Sequence, residues 1–212
     1  MIKIDRNKVT VPNIGKNYRH PEVLKALGEI FYNKCYLCEV KKDNPDNFEI
    51  DHFIPVNEND VLKYEWANLY LCCSDCNGYK SDDFVNILDP CHDDVEKLVV
   101  YELTPIDHQP CFYSSDTHYQ KINNTIKLLD KVHNGDDAKS INKTASLRNA
   151  IDRRAKQLIR SMLEFFRARA KNDKLAQQKS LREIKEIVSR YAPYTMLMRS
   201  LAKEYNFEDL LD

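Results

Sequence analysis

Four cysteines have the spacing of ligands in a metal site. Cys35 and Cys38 are separated by two residues, as are Cys73 and Cys76, and 34 residues lie between the two pairs. Four thiolates in two such pairs suit Zn²⁺, which favours tetrahedral sulfur coordination, and a closed set of four leaves no position open for a substrate. The spacing therefore predicts a structural zinc site. Cys72 lacks the two-residue gap to Cys76, so we expect it in the core.

Two short strands must position the residues between the cysteine pairs. A turn signal at residues 44–47 precedes an alternating segment at 48–55, Phe-Glu-Ile-Asp-His-Phe-Ile-Pro, which carries Asp51 and His52. Residues 66–73 read as a second strand. The alternation predicts that a carboxylate and an imidazole stand at the end of the first strand.

A short helix is predicted at the second cysteine pair. Ser74 can cap its N-terminus, and the helix would continue through Asn77 and Lys80. A closed zinc site needs neither Asn77 nor the Asp51-His52 pair. These residues therefore call for an explanation beyond zinc.

Taken in order, the motifs resemble those of the HNH endonucleases, which have a ββα-metal fold. The motifs are Asp51-His52 with Ile54-Pro55, then Trp66-x-Asn68-Leu69, then Cys73-x-x-Cys76-Asn77-x-x-Lys80. Asn77 stands where many members carry histidine, and the cysteine pairs match the zinc-bearing subgroup. The resemblance covers about residues 30–90. It implies an α+β fold in which a small zinc-bound ββα-metal module precedes a mainly α-helical C-terminal region.

The resemblance also implies roles for five residues in phosphodiester hydrolysis. His52 would be the general base, because a neutral imidazole with a pKa near about 6.5 can take a proton from water. Asp51 and Asn77 would hold a catalytic Mg²⁺ or Mn²⁺, since hard divalent cations prefer oxygen ligands. Asn68 would orient the loop that bears His52, and Lys80 would contact phosphate. Each residue taken singly also fits a structural role, and their combination favours catalysis.

The second half of the sequence has helical periodicity. Apolar residues recur at intervals of three and four through 145–170, up to Phe166. A further helix is marked by apolar residues from Ile184 to Tyr191 and should end before Pro193. Four regions are therefore expected: a lead-in strand and helix at 1–34, the zinc-bound nuclease module at 35–90, an irregular connecting region at 91–140 and a helical region at 141–212.

The net charge of −1 conceals a basic segment. Residues 140–190 contain 14 Lys and Arg against 5 Asp and Glu, whereas the rest of the chain contains 18 against 28. Four basic residues fall within about 60° on one predicted helix face: Arg153, Lys156, Arg160 and Arg167. Three interpretations stay open for this face: a solvated surface, a surface that contacts nucleic-acid phosphates, or a docking site for an acidic partner.

The composition is that of a globular protein, with 42% hydrophobic and 31% charged residues. The first ten residues lack the apolar stretch of a secretory signal, and no apolar run approaches the roughly 18 residues of a membrane span. We therefore expect a cytoplasmic protein with no membrane partner. Disulfides are disfavoured in that compartment, so Cys91 and Cys111 are expected to be buried free thiols.

The wider layout resembles the PtuB-type HNH nucleases of Septu and some retron antiphage systems. The shared features are the FEIDHFIP and WANLYLCCSDCN segments and a helical tail with Ala192-Pro193-Tyr194 and Arg199. This resemblance implies a nuclease that acts on DNA together with an ABC/SMC-like ATPase of the PtuA type.

Two alternatives to a DNA nuclease stay open. One is an HNH nuclease that cleaves RNA or tRNA, because hydrolysis acts on the phosphate and no base-reading element is evident. The other is a non-catalytic zinc module that binds nucleic acid or scaffolds a complex. Such a scaffold would need the cysteines but not Asp51, His52 and Asn77.

Overall fold

The chain folds into two units in the computed structural model. The structure describes four stretches of the chain: residues 1–56, 61–116, 118–135 and 138–211. The first unit joins two segments, as does the second: residues 1–99 with 114–132, and residues 100–113 with 133–212.

The first unit begins with a 3-10 turn at Arg6–Lys8 and helix α1 at Pro21–Ile30. Pro21 occupies the first helical turn, where its missing N–H has no partner to lose. The Nδ1 atom of His20 accepts a hydrogen bond from the Glu22 amide at 3.3 Å and caps the helix. One face of α1 is buried in the core of this unit.

A β–β–α arrangement forms the centre of the first unit. Strand β1, Glu49–His52, pairs antiparallel with strand β2, Leu69–Cys72, and helix α2, Ser74–Lys80, follows at once. The register pairs Glu49 with Cys72, Ile50 with Leu71, Asp51 with Tyr70 and His52 with Leu69. Strand β2 is buried throughout, so its apolar side chains anchor β1 and the start of α2 against the core.

The region at 91–140 is more regular than expected. It contains helix α3, Val95–Leu98, a hairpin of strands β3, Val100–Leu103, and β4, Pro110–Tyr113, and helix α4, Gln120–Asn134. The segment Leu-Val-Val-Tyr-Glu-Leu at residues 98–103 predicts a short strand, and β3 lies there. Strand β4 and helix α4 were not predicted, although the apolar residues of α4 have helical spacing.

Three helices dominate the second unit. They are α5, Ala138–Ala170, α6, Lys174–Val188, and α7, Thr195–Glu204. Helix α5 packs against both others, and the predicted helical C-terminal region is confirmed. The predicted apolar stripe of α5 holds as far as Met162, which is buried, whereas Phe166 is 40% exposed. The buried Arg199 donates from Nε to the Val188 carbonyl at 2.9 Å and completes the end of α6.

Candidate active site and metal centre

The four predicted cysteine ligands converge in the first unit. Their sulfur atoms all lie within 4.8 Å of one another, and all four side chains are buried. Cys35 and Cys38 lie in a tight turn before β1, in which the Glu39 amide donates to the Cys35 carbonyl at 3.0 Å. Cys73 is the N-cap of α2, so the predicted capping role of Ser74 is wrong, and Cys76 lies in the first turn. The turn before β1 and the N-terminus of α2 therefore each contribute two thiolates, as a closed four-thiolate site requires.

The geometry of this cluster suits zinc. Zn–S bonds of about 2.3 Å put tetrahedral sulfurs roughly 3.8 Å apart, and the Sγ atoms of Cys38 and Cys73 are 3.8 Å apart. Burial opposes ionisation of Cys35, but hydrogen bonds with the neighbouring thiols outweigh it and lower the pKa of that thiol, whereas the same contacts raise the pKa values of Cys38 and Cys76. Metal binding requires such thiols to lose their protons. The predicted four-cysteine cluster is confirmed, and its donors fit a structural Zn²⁺.

Cys72 lies beside the cluster but outside it. Its Sγ is 3.9 Å from that of Cys35, yet the converging group contains Cys73 in its place. Burial raises the pKa of Cys72, and so does its hydrogen bond with Cys35, so its thiol keeps its proton. The expectation of a core residue agrees with its complete burial at the end of β2.

His52 ends β1 with its ring held on two sides. Its Nε2 atom is 3.1 Å from the Lys63 carbonyl oxygen. Because a carbonyl can only accept, Nε2 carries the hydrogen, and a neutral ring keeps its lone pair on Nδ1. The Tyr18 ring packs edge-on against the imidazole at 4.7 Å between centroids. His52 is half-buried, so it is an oriented side chain with partial access to solvent.

Asn68 clamps the chain immediately after β1. Its buried Oδ1 accepts from the Ile54 amide at 2.7 Å. Its Nδ2 donates to the Ile54 carbonyl at 2.9 Å and to the Leu62 carbonyl at 3.2 Å. The Asn68 carbonyl also accepts from the Phe53 amide at 2.9 Å. These are backbone contacts of the kind expected for Asn68, and its effect on catalysis stays a prediction.

Asp51 points into the core. The residue is 6% exposed, and its Oδ2 accepts from the Tyr36 hydroxyl at 2.7 Å while its Oδ1 accepts from Lys80 Nζ at 3.1 Å. Burial raises the pKa of Asp51, and the Lys80 charge and the two hydrogen bonds offset part of that rise. Each carboxylate oxygen therefore already has a protein partner. A role for Asp51 as a ligand of a catalytic cation stays a prediction.

Lys80 corrects the expectation of an accessible phosphate contact. The residue is only 1% exposed, and its ammonium donates to Asp51 Oδ1 and, at 2.9 Å, to the His52 carbonyl. A lysine one turn beyond Asn77 was expected to face solvent. The buried carboxylate of Asp51 attracts it inward instead, because an unpaired buried charge is costly.

Glu49 and Asn77 are the more accessible oxygen donors of this site. Asn77 Nδ2 donates to Glu49 Oε2 at 2.7 Å, so β1 and α2 present a carboxylate and an amide side by side. Mg²⁺ takes one or two protein carboxylates and completes its shell with waters and substrate phosphates. The donors present fit such an ion. The only sequence signal that pointed to Glu49 as part of the site was its position two residues before Asp51, which places both on one face of the strand.

The described residues hold one cluster of three or more His, Cys, Asp or Glu side chains close enough to share an ion, and it is the four-cysteine cluster. A catalytic cation beside Glu49 and Asn77 would therefore depend on water and substrate for several of its ligands. This distinguishes the two metal sites: one is closed by protein sulfur, and the other would be open to substrate.

Arg6 supports Asn68 from the N-terminal segment and was missed by sequence reasoning. Its guanidinium donates to the Trp66 carbonyl at 3.0 Å and to the Leu69 carbonyl at 2.7 Å, on either side of Asn68. It also stacks over the Tyr70 ring, 4.5 Å from the centroid. No motif or spacing links residues that lie 60 positions apart, so no sequence signal pointed to Arg6.

Cys91 and Cys111 are free thiols, but the expectation that both are buried is wrong. Each is only partly covered. Arg6 Nε donates to Cys91 Sγ at 3.2 Å, and Cys111 lies near the Gln109 carbonyl in β4. Neither residue belongs to the metal cluster.

The predicted basic residues lie on the exposed surface of α5, in the second unit. All four are solvent-exposed: Arg153, Lys156, Arg160 and Arg167. Lys156 pairs with Asp152 at 2.8 Å, and that carboxylate also contacts His108 Nδ1 at 2.8 Å. The positive charge of this face is therefore carried by its three arginines. Contact with nucleic acid stays a prediction.

Comparison with known proteins agrees with the geometry of the first unit. Residues 35–83 match the HNH endonuclease family. A 61-residue stretch is 38% identical to the Septu protein PtuB of Bacillus thuringiensis, covering 28% of this chain. The chain thus spans about a quarter of that relative's length, 24%. A search of solved structures gives no significant match. The chain carries an HNH endonuclease domain, and the resemblance inferred from its motifs is confirmed.

Across the described residues, no helix combines the length and the apolar character that a membrane crossing requires.

Proposed function

We propose that this HNH domain makes the chain a metal-dependent endonuclease that hydrolyses phosphodiester bonds, with His52 as the general base. The hydrogen bond from His52 Nε2 to the Lys63 carbonyl carries the proposal. It fixes the tautomer whose free lone pair is on Nδ1, so that atom accepts the proton of the attacking water.

The surrounding residues hold His52 for this task. The Asn68 side chain bonds both Ile54, just after β1, and the Leu62 carbonyl. Leu62 is adjacent in the chain to Lys63, whose carbonyl orients the imidazole. A base must lie within hydrogen-bond reach of the proton that it removes, so small displacements of His52 would reduce the rate. The four-cysteine zinc site fixes the start of α2 and the turn before β1, and takes no part in the chemistry.

A divalent cation completes the proposed site. Glu49 and Asn77 would hold Mg²⁺ or Mn²⁺ at the exposed start of β1, and the predicted ligand Asp51 is the buried acid of the same strand. When bound, such an ion polarises the phosphate and stabilises the leaving oxygen. Lys80 neutralises Asp51 and, by donating to the His52 carbonyl, links that acid to the backbone of the base.

We propose DNA as the substrate and antiphage defence as the setting, with an ABC/SMC-like ATPase partner. The support is the likeness of this domain to a Septu protein. The exposed arginines of α5 are candidates for contacts with DNA phosphates or with the partner. A cytoplasmic location belongs to the same proposal, because thiols held for zinc rather than as disulfides suit a reducing compartment.

Cleavage of defined nucleic acids tests the proposed function. The purified chain would be incubated with plasmid DNA, with single-stranded DNA or with total RNA, each with added Mg²⁺ or Mn²⁺, and with or without the proposed ATPase partner. Loss of intact plasmid that depends on the metal and is absent in His52→Ala is the expected result. Cleavage of RNA alone would contradict the choice of DNA, and no cleavage of either polymer under any condition would contradict the nuclease.

A further inference from the structure

Two tyrosines and two cations border His52 in the first unit. The Tyr18 ring lies against the His52 ring, and the Tyr64 ring follows at 6.3 Å from Tyr18. The Arg19 guanidinium is 5.4 Å from the Tyr18 ring centroid, and the Lys63 ammonium is 5.8 Å from that of Tyr64. We call these four residues the tyrosine cluster: Tyr18, Arg19, Lys63 and Tyr64.

The tyrosine cluster is not part of the hydrophobic core. Arg19 is exposed, and the other three side chains are half-buried. The core of this unit has its own aromatic group, in which Tyr36, Phe53 and Tyr70 pack together. In the described part of the chain, no side chain of the tyrosine cluster forms a hydrogen bond or an ion pair with the protein. The rings pack on His52 and on each other, while the polar ends of these side chains remain available for a ligand.

We propose that the tyrosine cluster binds an unpaired nucleotide beside the phosphate that is cleaved, so that the substrate class is single-stranded or locally unpaired nucleic acid. This inference rests on the proposed function. Aromatic side chains bind unpaired bases by stacking, and every base has a face that can stack. In a duplex the same faces are covered by neighbouring base pairs.

The position of Tyr18 links stacking to catalysis. Its ring touches the imidazole of His52, so a base held on Tyr18 belongs to a nucleotide whose phosphate lies close to the proposed general base. The Arg19 guanidinium and the Lys63 ammonium lie 5.4 Å and 5.8 Å from the Tyr18 and Tyr64 ring centroids, respectively, so both cations are close enough to meet phosphates of a strand held on these rings. The arrangement selects strand accessibility rather than base sequence, because stacking and phosphate contacts are tolerant of base identity.

Both DNA and RNA strands share this chemistry, and the test separates them. Binding of the full chain would be measured by fluorescence anisotropy without added Mg²⁺, using labelled oligothymidylate, labelled oligouridylate and a DNA duplex of the same length. Wild-type protein should bind the single strands more tightly than the duplex. Tyr18→Ala should weaken single-strand binding by roughly 5- to 150-fold, the range for loss of one stacked base, and should change duplex binding little. Tyr18→Phe should retain binding.

Charge removal gives an independent measurement. Arg19→Gln and Lys63→Gln should each lower the log–log salt slope of single-strand binding by about 0.7. Tyr119→Ala and Lys25→Gln are matched controls, because both residues are exposed in the first unit and lie outside the tyrosine cluster. Zinc content and circular dichroism would show whether each variant is folded. If Tyr18→Ala does not fold, Tyr64→Ala replaces it in the binding measurements.

The outcomes separate this inference from the proposed function. Equal losses on duplex and single strands, or a Tyr18→Ala affinity no lower than that of Tyr119→Ala, would overturn the stacking role. If cleavage by the wild type still requires His52 in that case, the nuclease proposal stands and only the substrate class is wrong.

Discussion

Lys80 offers a direct test of whether a buried ion pair underlies the candidate site. Its ammonium lies 3.1 Å from Asp51 Oδ1, and the two side chains are 2% and 7% exposed. Lys80→Met keeps most of the volume of the side chain but removes the charge. Among the residues that the structure describes, Asp51 would then be a buried carboxylate with only the Tyr36 hydroxyl as a side-chain partner.

The expected cost follows from this burial. Removing one member of a buried ion pair typically costs about 3–5 kcal/mol, because the remaining charge is uncompensated. The free energy of unfolding of a domain is typically only about 5–15 kcal/mol, so the variant should lose a large share of it. Adding Asp51→Asn to Lys80→Met removes the unpaired charge and should restore part of the loss.

Urea unfolding followed by circular dichroism measures these differences. The zinc concentration must be held constant, because bound metal adds to the apparent stability. Lys97→Met is the matched control: Lys97 pairs with Asp94 at 2.8 Å but is 83% exposed, so no measurable change is expected. If Lys80→Met lowers the free energy of unfolding by less than about 1 kcal/mol and also weakens nucleic-acid binding, the ion-pair account is refuted. The prediction from the sequence that Lys80 contacts phosphate would then be supported.

Three further predictions address the other parts of the account. Elemental analysis should find about one zinc per chain, retained in Cys72→Ser and lost in Cys73→Ser; equal zinc in both variants would contradict the assigned ligands. Asn68→Asp removes two donated hydrogen bonds and should cost roughly 2–4 kcal/mol in urea unfolding along with most of the cleavage activity, whereas a stable, active variant would refute the clamp. A triple variant reverses three α5 arginines to Glu: Arg153, Arg160 and Arg167. If these arginines contact phosphates, the log–log salt slope of nucleic-acid binding should flatten by about 2–3; if they dock the ATPase, co-purification with it should be lost. No change in either measurement would show that the face is only solvated.

The residues of the metal centre could be predicted because local spacing encodes them. A two-residue gap between thiols is a property of a single turn, so Cys35 with Cys38 and Cys73 with Cys76 are recognisable before any fold is known. The same reasoning excluded Cys72, which the cluster also excludes. The β–β–α order was accessible for a similar reason, since each element is short and bounded by turn or capping residues.

The partners of the acidic and basic side chains could not be predicted. Whether Lys80 faces a substrate or a buried carboxylate depends on how α2 packs on β1, and nothing in the local pattern of α2 distinguishes the two. Asp51 carried the same ambiguity, because alternation in β1 gives its face but not what covers that face. Arg6 is a longer-range case, in which the segment before α1 returns to bond the backbone around Asn68.

The hairpin shows a different limit. Strands β3 and β4 have four residues each and form because they pair with one another, so their stability is not local. Tertiary pairing, rather than propensity, specifies such short strands. Helix α4 differs: it is amphipathic and buries Leu128, Leu129 and Val132 on one face, so its helical period was a sequence signal that we missed.

The central claim is that His52 is the general base of a nuclease whose zinc site is separate from the chemistry. The most direct measurement compares the rate of plasmid cleavage by wild type and His52→Ala at equal zinc content and equal Mg²⁺. The account predicts that the variant keeps its zinc and its fold while its rate falls by about 10²–10⁴-fold, as expected for loss of a general base. A variant that cleaves at the wild-type rate would contradict it.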